Sequence, residues 1–526
     1  MTQPVSKVVR RARRPHVKIR QARQAQQQEP HRLTGQILVA GAAAAAAITQ
    51  SGLTPAELEA WRTDCETRLQ AILQHPEPNP GPIEEALAAA AKEPLRLLAQ
   101  RAAQAQANAT PCQCSPCHGE LTDRKFLARG IDSRFGRLTV WRGYGWGPHC
   151  QAWGFPADHA LGLAKQASAS PCLQEIAALL VTRMPAEQAV PVAARLGWDL
   201  SRCWFHQEAH RQGLKAQTRR AATVAQGDDG ESLQTLAGQT AKLLTEPFTL
   251  VIEIEAWNIR ERADGGQPKA LRQQGQKIER WHWVYLATVF RLDHRGQTAG
   301  GRAIISQRGY VATRQGLEAL TAQLYREALQ RGLGQAQEVS VIADGAVWIW
   351  NLVKDRLPKA RQRLDRWPVE EHLRSVAHDL HGRGTPEART WVEPLRQQVR
   401  TDQTPALLAS LTELKPRLEA AQQQKLQTQI EYFDHNAHRL NYQEIIAART
   451  TVAAGTATPA QSHRANEPLG SGAIESACRQ YQGRFKRPGQ FWTTAGDEAL
   501  MRLETFWRND RWHELYPHAP ARLARN

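Results

Sequence analysis

A change of hydrophobic period at residue 247 constrains this chain most. From there Phe248–Arg262 (FTLVIEIEAWNIRER), Trp281–Leu292 (WHWVYLATVFRL) and Gly301–Val311 (GRAIISQRGYV) read with a period of two. Such runs form strands, because successive side chains on an extended backbone point to opposite faces. A charged loop containing Gly265-Gly266 separates the first two. An amphipathic helix follows at 314–331, then the β-branched run Val339–Ile342, a helix over Ile349–Leu357 stopped by Pro358, and the strand-like piece Arg361–Trp367. That last piece, RQRLDRW, is polar for a core position. Strands in this number must pair into a sheet, and the alternation with helices makes the sheet a mixed one.

Three strands, helix, strand, helix, strand is the ribonuclease-H-like order, so the expected fold class is α/β with that domain as its centre. Residues 246–368 form its first part. The following stretch, 369–450, reads as an all-helical insertion (His372–His381, Trp391–Gln403, Pro405–Leu411, Leu418–Arg449). An Ala-, Thr- and Ser-rich linker spans 451–468, and residues 469–517 close the domain with Leu469–Phe485 and an amphipathic helix over Gly496–Arg508, leaving a tail at 518–526.

The N-terminal half reads as smaller modules. Residues 1–35 are a disordered arm carrying Lys7, Arg10, Arg11, Arg13, Arg14, Lys18, Arg20 and Arg23; it either contacts phosphates by charge or is a solvated tail. Residues 36–108 are helical, with the segment Pro76–Pro82 as a break. Between 109 and 165, Cys114-x-x-Cys117 and Cys150 flank a hairpin containing the alternating run Gly136–Arg142, the layout of a zinc ribbon. Gly147 stands where a second Cys pair needs its partner; His149 and Cys112 are the substitutes within reach, and the other reading is a ribbon held by packing alone. Residues 166–240 contain helix Pro185–Val190, the turn Leu196–Asp199 and helix Leu200–Gly213, which is either a helix-turn-helix or an ordinary helical hairpin. In the first case Arg202, His206, His210 and Arg211 line the outer face of the second helix and meet DNA.

The whole chain has a formal net charge of +17, which favours a polyanionic partner, most simply double-stranded DNA, or reflects general basicity. Eight cysteines in 526 residues are too few for a disulfide scaffold and suit a reducing cytosol. The one long uncharged window, Ile37–Thr49, is too short and too weakly apolar to span a bilayer and reads as a helix, so no membrane is expected.

Three carboxylates stand out. Glu255 lies inside the first strand, with Glu253 on the same face; Asp344 ends the fourth strand in an Asp-Gly turn; Glu475 starts a helix after Gly470-Ser471-Gly472. Each has a bland reading as a strand-edge, turn or helix-start charge. In a ribonuclease-H-like sheet, however, the first strand lies beside the fourth, and a closing helix brings the third acid across. Converging carboxylates repel, and a pair of Mg²⁺ or Mn²⁺ ions resolves that repulsion while serving in-line phosphoryl transfer. Arg479, Arg484, Lys486 and Arg487 follow Glu475 and are placed to hold DNA phosphates.

The segments Asp344-Gly345-Ala-x-Trp348-Ile349-Trp350, Glu371-His372-Leu373, Gly470-Ser-Gly-Ala-Ile-Glu475-Ser and Arg484-Phe-Lys-Arg487-Pro-Gly489 together resemble DDE-type bacterial insertion-sequence transposases of the Kra group. The resemblance runs from about 110 to 517 and is specific in the catalytic half. It implies cut-and-join chemistry on transposon ends, the triad Glu255, Asp344 and Glu475, two Mg²⁺ ions, a homo-oligomer on DNA, and a cytoplasmic, nucleoid-associated protein. Three positions depart from the family pattern: Glu255, where the family has Asp; Pro368, where it has His; and Gly147, where the ribbon has Cys. They suggest a decayed copy, so the alternative expectation is a catalytically inactive DNA-binding protein derived from a transposase.

Overall fold

The computed structural model describes residues 54–74, 80–165, 167–225, 238, 246–262, 273–275, 279–488 and 490–518. The basic arm, the run at 37–49 and the Gly265-Gly266 loop lie outside the described residues. Helix α1 (Pro55–Leu73) starts at Thr54, whose side chain accepts from Glu57 N while Glu57 reaches back, a reciprocal cap. Helix α2 (Pro80–Ala109) begins within the proline segment expected as a break; Pro80 and Pro82 fall in the first turn, where the missing N–H groups have no helical partner anyway, while Pro94 lies inside the helix. An antiparallel sheet follows in the order β1 (Thr122–Ser133), β2 (Gly136–Gly147), β3 (Ala152–Gly154), with β1 and β2 joined tightly through Ser133 opposite Gly136. Helices α3 (Pro156–Ala160), α4 (Pro171–Arg183), α5 (Ala186–Arg195) and α6 (Arg202–Ala225) come next.

The chain forms two compact units. The first holds the described residues up to Gln174 together with Arg195–Trp198, and the second holds Glu175–Ala194 and the described residues from Asp199 onward. The expected helix-turn-helix region, 166–240, is therefore divided between them. Its turn is fixed inside the first unit, where Lys92 Nζ donates to Gly197 O at 2.8 Å and Trp198 Nε1 to Arg134 O at 2.9 Å. Its second helix, α6, is built into the second unit.

The second unit is mixed α/β. Strands β4 (Thr249–Arg262), β5 (Glu279–Arg291) and β8 (Gly309–Thr313) pair antiparallel. Between β5 and β8, β6 (Arg295–Gln297) and β7 (Ala303–Ile305) form a separate ribbon, so the expected strand Gly301–Val311 is split in two. Helix α7 (Leu317–Gln330) leads to β9 (Glu338–Ala343), α8 (Val347–Arg356) leads to β10 (Arg361–Leu364), and β9 and β10 both join in parallel to give the order β10-β9-β4-β5-β8. One face carries Leu250, Ile252 and Ile254 against α7, α8 and the helices that follow. The other carries Val251, Phe290 and Ile342, with Ala473 packed against them. Alternation along β4 thus puts Glu253 and Glu255 on the second face.

The polar strand β10 is buried because its charge is matched. Arg363 is fully buried; its Nη2 lies 2.9 Å from Glu467 Oε2, and its Nη1 donates to Pro468 O at 3.2 Å.

Helices α9 (Arg366–His381), α10 (Pro386–Arg400), α11 (Thr404–Leu414), α12 (Ala420–His435) and α13 (Gln443–Ala453) form the helical block. The expected single helix Leu418–Arg449 breaks at Asn436, and α13 restarts where Asp402 Oδ1 accepts from Tyr442 N at 2.7 Å and Gln443 N at 3.1 Å. The expected linker contains α14 (Pro459–Ala465), capped by Thr458. Helices α15 (Gly472–Phe485), α16 (Thr494–Arg508) and α17 (Trp512–Leu515) end the described chain. Helix α6 packs against α16 so closely that a Cβ on Gly213 would lie 2.2 Å from Ala499 Cβ. Among the described residues no helix is long and apolar enough to cross a membrane.

Candidate functional site

The acids of the second unit meet because the sheet brings their strands together. The β4–β9 register ends at Ile254 opposite Ala343, so Glu255 and Asp344 occupy the next position on neighbouring strands, which lie about 4.8 Å apart. Helix α15 delivers Glu475 to the same place. Its docking is set by Glu253, whose Oε2 accepts from Ile474 N at 2.7 Å in the first turn of that helix. A carboxyl at a helix N-terminus meets unpaired N–H groups and the positive end of the dipole.

The electrostatics report the convergence. Burial pushes the Glu255 carboxyl up to about 7; the bond from Ala256 N opposes this, and the charges of Asp344, Glu475 and Asp365 add to it. Burial likewise raises Asp344, against the bond from Ala346 N at 2.9 Å and with help from Asp365. Burial raises Glu253 to about 8. Negative charge is thus gathered here, offset in part by Arg479 beside Glu475 and by Arg308 near Glu253. The carboxylate oxygens do not close into a ligand cluster as tight as the one formed by the cysteines below, as expected for like charges facing each other. Hard oxygen donors of this kind suit Mg²⁺ or Mn²⁺.

Asp365, which went unrecognised in the strand-like piece Arg361–Trp367, belongs to this site. Its N donates to Ala343 O at 2.7 Å, its Oδ1 accepts from Trp367 N at 2.9 Å to start α9, and its Oδ2 accepts from Ser471 Oγ. It therefore ties the ends of β9 and β10 to the loop before α15. The signal was available: like Asp344, it follows a short strand just before a helix. Tyr432 of α12 is the second addition. A Cβ on Gly345 would lie 2.5 Å from its ring, it stacks on His372 with centroids 3.7 Å apart, and its hydroxyl is buried with no hydrogen-bond partner among the described residues. No feature of the sequence links residue 432 to residue 345.

The cations after Glu475 divide. Arg479 is exposed and pairs with Glu475 Oε2 at 3.1 Å, and Lys486 is exposed. Arg487 is half-buried, donating to Gly483 O at 2.8 Å and Gln188 Oε1 at 3.3 Å. Arg484 is a correction: it is buried and donates from Nε and Nη2 to Val181 O at 3.2 and 2.7 Å, so it braces α4 rather than facing solvent. On α6, Arg202 and His206 are exposed, with Arg202 held by Glu187 at 2.9 Å. Arg211 is the second correction. It is half-buried and pairs with the fully buried Glu208, because the buried face of α6 includes that glutamate. A cavity of about 590 Å³ opens beside Glu253, with Arg295, Arg302 and Arg308 on its wall.

The first unit holds a separate candidate, a metal centre. The turn at Cys114 is closed by His118 N donating to Cys114 O at 2.8 Å and Cys114 N to Gly119 O at 2.7 Å. Cys150 comes from the turn between β2 and β3. The sulfurs of Cys114, Cys117 and Cys150 all lie within 4.8 Å of one another, the only such group among the described residues, and three thiols so placed can hold a metal such as zinc. The hydrogen bond between Cys117 and Cys150 chiefly holds the first thiol below its usual range and pushes the second up to about 12. Neither expected substitute for a fourth ligand joins the group. Cys112 points instead at Gly143, where an added Cβ would lie 3.0 Å from its sulfur, and His149 stays outside. At Gly147 an added Cβ would lie 3.2 Å from Cys114 Sγ, so Gly147 borders the open side of the trio.

No known protein family matches the chain, and no characterised protein matches it.

Proposed function

We propose that the second unit is a ribonuclease-H-like catalytic domain with a helical insertion, and that the chain is a DDE-type transposase that binds transposon ends and cuts and rejoins DNA. The observation that carries this is the meeting of Glu255 and Asp344 at the end of the β4–β9 register, with Glu475 within electrostatic reach. The sheet order supports it: counted from β4, the first strand lies beside the fourth, and β9 and β10 are parallel to it. Glu255, Asp344 and Glu475 would hold two Mg²⁺ or Mn²⁺ ions, which when bound supply an activated water or 3′-hydroxyl and charge for the leaving oxygen. Glu253 and Asp365 position the helix and loop that present Glu475. Arg295, Arg302 and Arg308 give the neighbouring cavity the sign that attracts phosphate.

The test is nicking of a supercoiled plasmid carrying the gene with its native flanking DNA. Mg²⁺- or Mn²⁺-dependent nicking that vanishes in Asp344→Ala is the expected result; nicking that survives that substitution overturns the assignment.

Glu255 favours a second reading, a DNA-binding relic. It is one methylene longer than the Asp that the resemblance implies, and a misplacement of about 1 Å can cost ~100-fold in rate. Glu255→Asp separates the two. Increased strand transfer identifies an impaired enzyme, whereas salt-dependent DNA binding with no nicking by either protein identifies the relic.

A further inference from the structure

We propose that the outer part of the β4–β5 hairpin is a base-stacking platform for single-stranded DNA. The register sets Arg260 opposite Trp281, Asn258 opposite Trp283 and Ala256 opposite Tyr285. Alternation then puts Trp281, Trp283 and Tyr285 on one face of the hairpin. Trp281 is 54% exposed and Trp283 is 53% exposed. A single exposed tryptophan needs no explanation, but two on one face leave a large apolar surface in water.

The rim of this surface is cationic. Arg260 Cζ lies 4.8 Å from the Trp281 ring centroid and Lys486 Nζ lies 5.9 Å from it, and Arg280 beside them is exposed. Indole faces ringed by Arg and Lys are what unpaired nucleotides bind: bases stack on the rings and phosphates meet the cations. Residues two apart on a strand are about 7 Å apart, twice the ~3.4 Å rise between stacked nucleotides, so successive rings match every second nucleotide. A duplex hides its base faces and offers this surface only phosphates. A second copy of the same patch would bring Arg260 and Lys486 against their equivalents, which like charge opposes.

The row runs toward the turn at the end of β9. Tyr285 meets Trp348 edge-on with centroids 5.3 Å apart, and Trp348 sits at the start of α8, immediately after the turn that carries Asp344. A strand stacked along Trp281, Trp283 and Tyr285 therefore runs toward the strand end that carries Asp344, along the sheet face opposite Glu253 and Glu255. The choice of DNA over RNA rests on the proposed cutting and joining of DNA; the stacking surface does not.

The experiment uses the full chain at one fixed salt concentration, with fluorescence anisotropy of a labelled oligothymidylate and of a labelled blunt duplex. Trp281→Ala with Trp283→Ala is expected to weaken oligothymidylate binding roughly 100-fold, about tenfold per ring, and duplex binding less than about threefold. Trp281→Phe with Trp283→Phe keeps a ring at both sites and should retain oligothymidylate binding within about tenfold. Equal losses on both probes, or no loss on either, overturn the platform. So does an alanine variant whose sedimentation shows a smaller assembly while its oligothymidylate affinity is unchanged, since the surface then joins copies of the chain. Tighter binding of oligouridylate than of oligothymidylate overturns the assignment to DNA. If oligothymidylate binding depends on the two tryptophans while no nicking occurs in any protein, the platform stands and the cleavage reading falls.

Discussion

Gly147→Cys should turn an open three-thiol group into a closed metal site. Gly147 has an ordinary φ and lies at the end of β2, so an L side chain meets no backbone strain there. Its Cβ would stand 3.2 Å from Cys114 Sγ and 3.3 Å from Ala152 O, close enough that these neighbours must give by a few tenths of an ångström. The new sulfur then reaches the side of the Cys114–Cys117–Cys150 trio that lacks a protein ligand. Structural zinc sites bind with roughly 10–16 kcal/mol, so one ligand of four contributes on the order of 3 kcal/mol, or about 100-fold in Kd. The assay is competition for Zn²⁺ against a chromophoric chelator, with Co²⁺ spectra reporting how many thiolates are bound. Gly147→Ala, which adds the Cβ without the sulfur, is the control and should bind no tighter than the parent. A cysteine variant no tighter than the alanine one would refute the geometry.

Two further outcomes test the second unit. Arg363→Met removes one of the two ion pairs that the buried Glu467 makes among the described residues, leaving that with Arg464, and should cost about 3–5 kcal/mol in urea unfolding; adding Glu467→Leu should restore much of that, and strict additivity of the two losses would show that the pair is not coupled. Asp497 is fully buried, and burial, followed by its hydrogen bond with Glu261, raises its carboxyl to about 9. Between its ordinary value of 3.8 and about 9 the folded protein holds a proton that the unfolded chain releases. Its contribution is complete below that window and is lost as pH rises through it. Asp497→Asn should therefore flatten the fall in stability between pH 6 and 9; urea midpoints that fall equally in both proteins would exclude this group as the source.

The sequence alone determined the elements whose burial is periodic. The runs at Phe248–Arg262 and Trp281–Leu292 became β4 and β5 almost residue for residue, because a strand between two packed layers must be apolar in a pattern that the chain itself carries. It also marked Glu255, Asp344 and Glu475, since acids at the end or in the middle of such strands, or beside a glycine-rich helix start, have few structural reasons to be there. What it could not determine depends on partners distant along the chain. The polar strand β10 is a core strand because Glu467 and Pro468 reach Arg363, and α13 begins at Tyr442 because Asp402 supplies its cap. Asp365 becomes part of the acidic site only when Ser471 closes on it, and Arg484 and Arg211 leave the set of solvent-facing cations only when Val181 and Glu208 claim them. A charged residue in a sequence reads as a surface residue; only the tertiary structure brings the group that neutralises it, and with that decides whether the charge is spent on holding the fold or kept for a ligand.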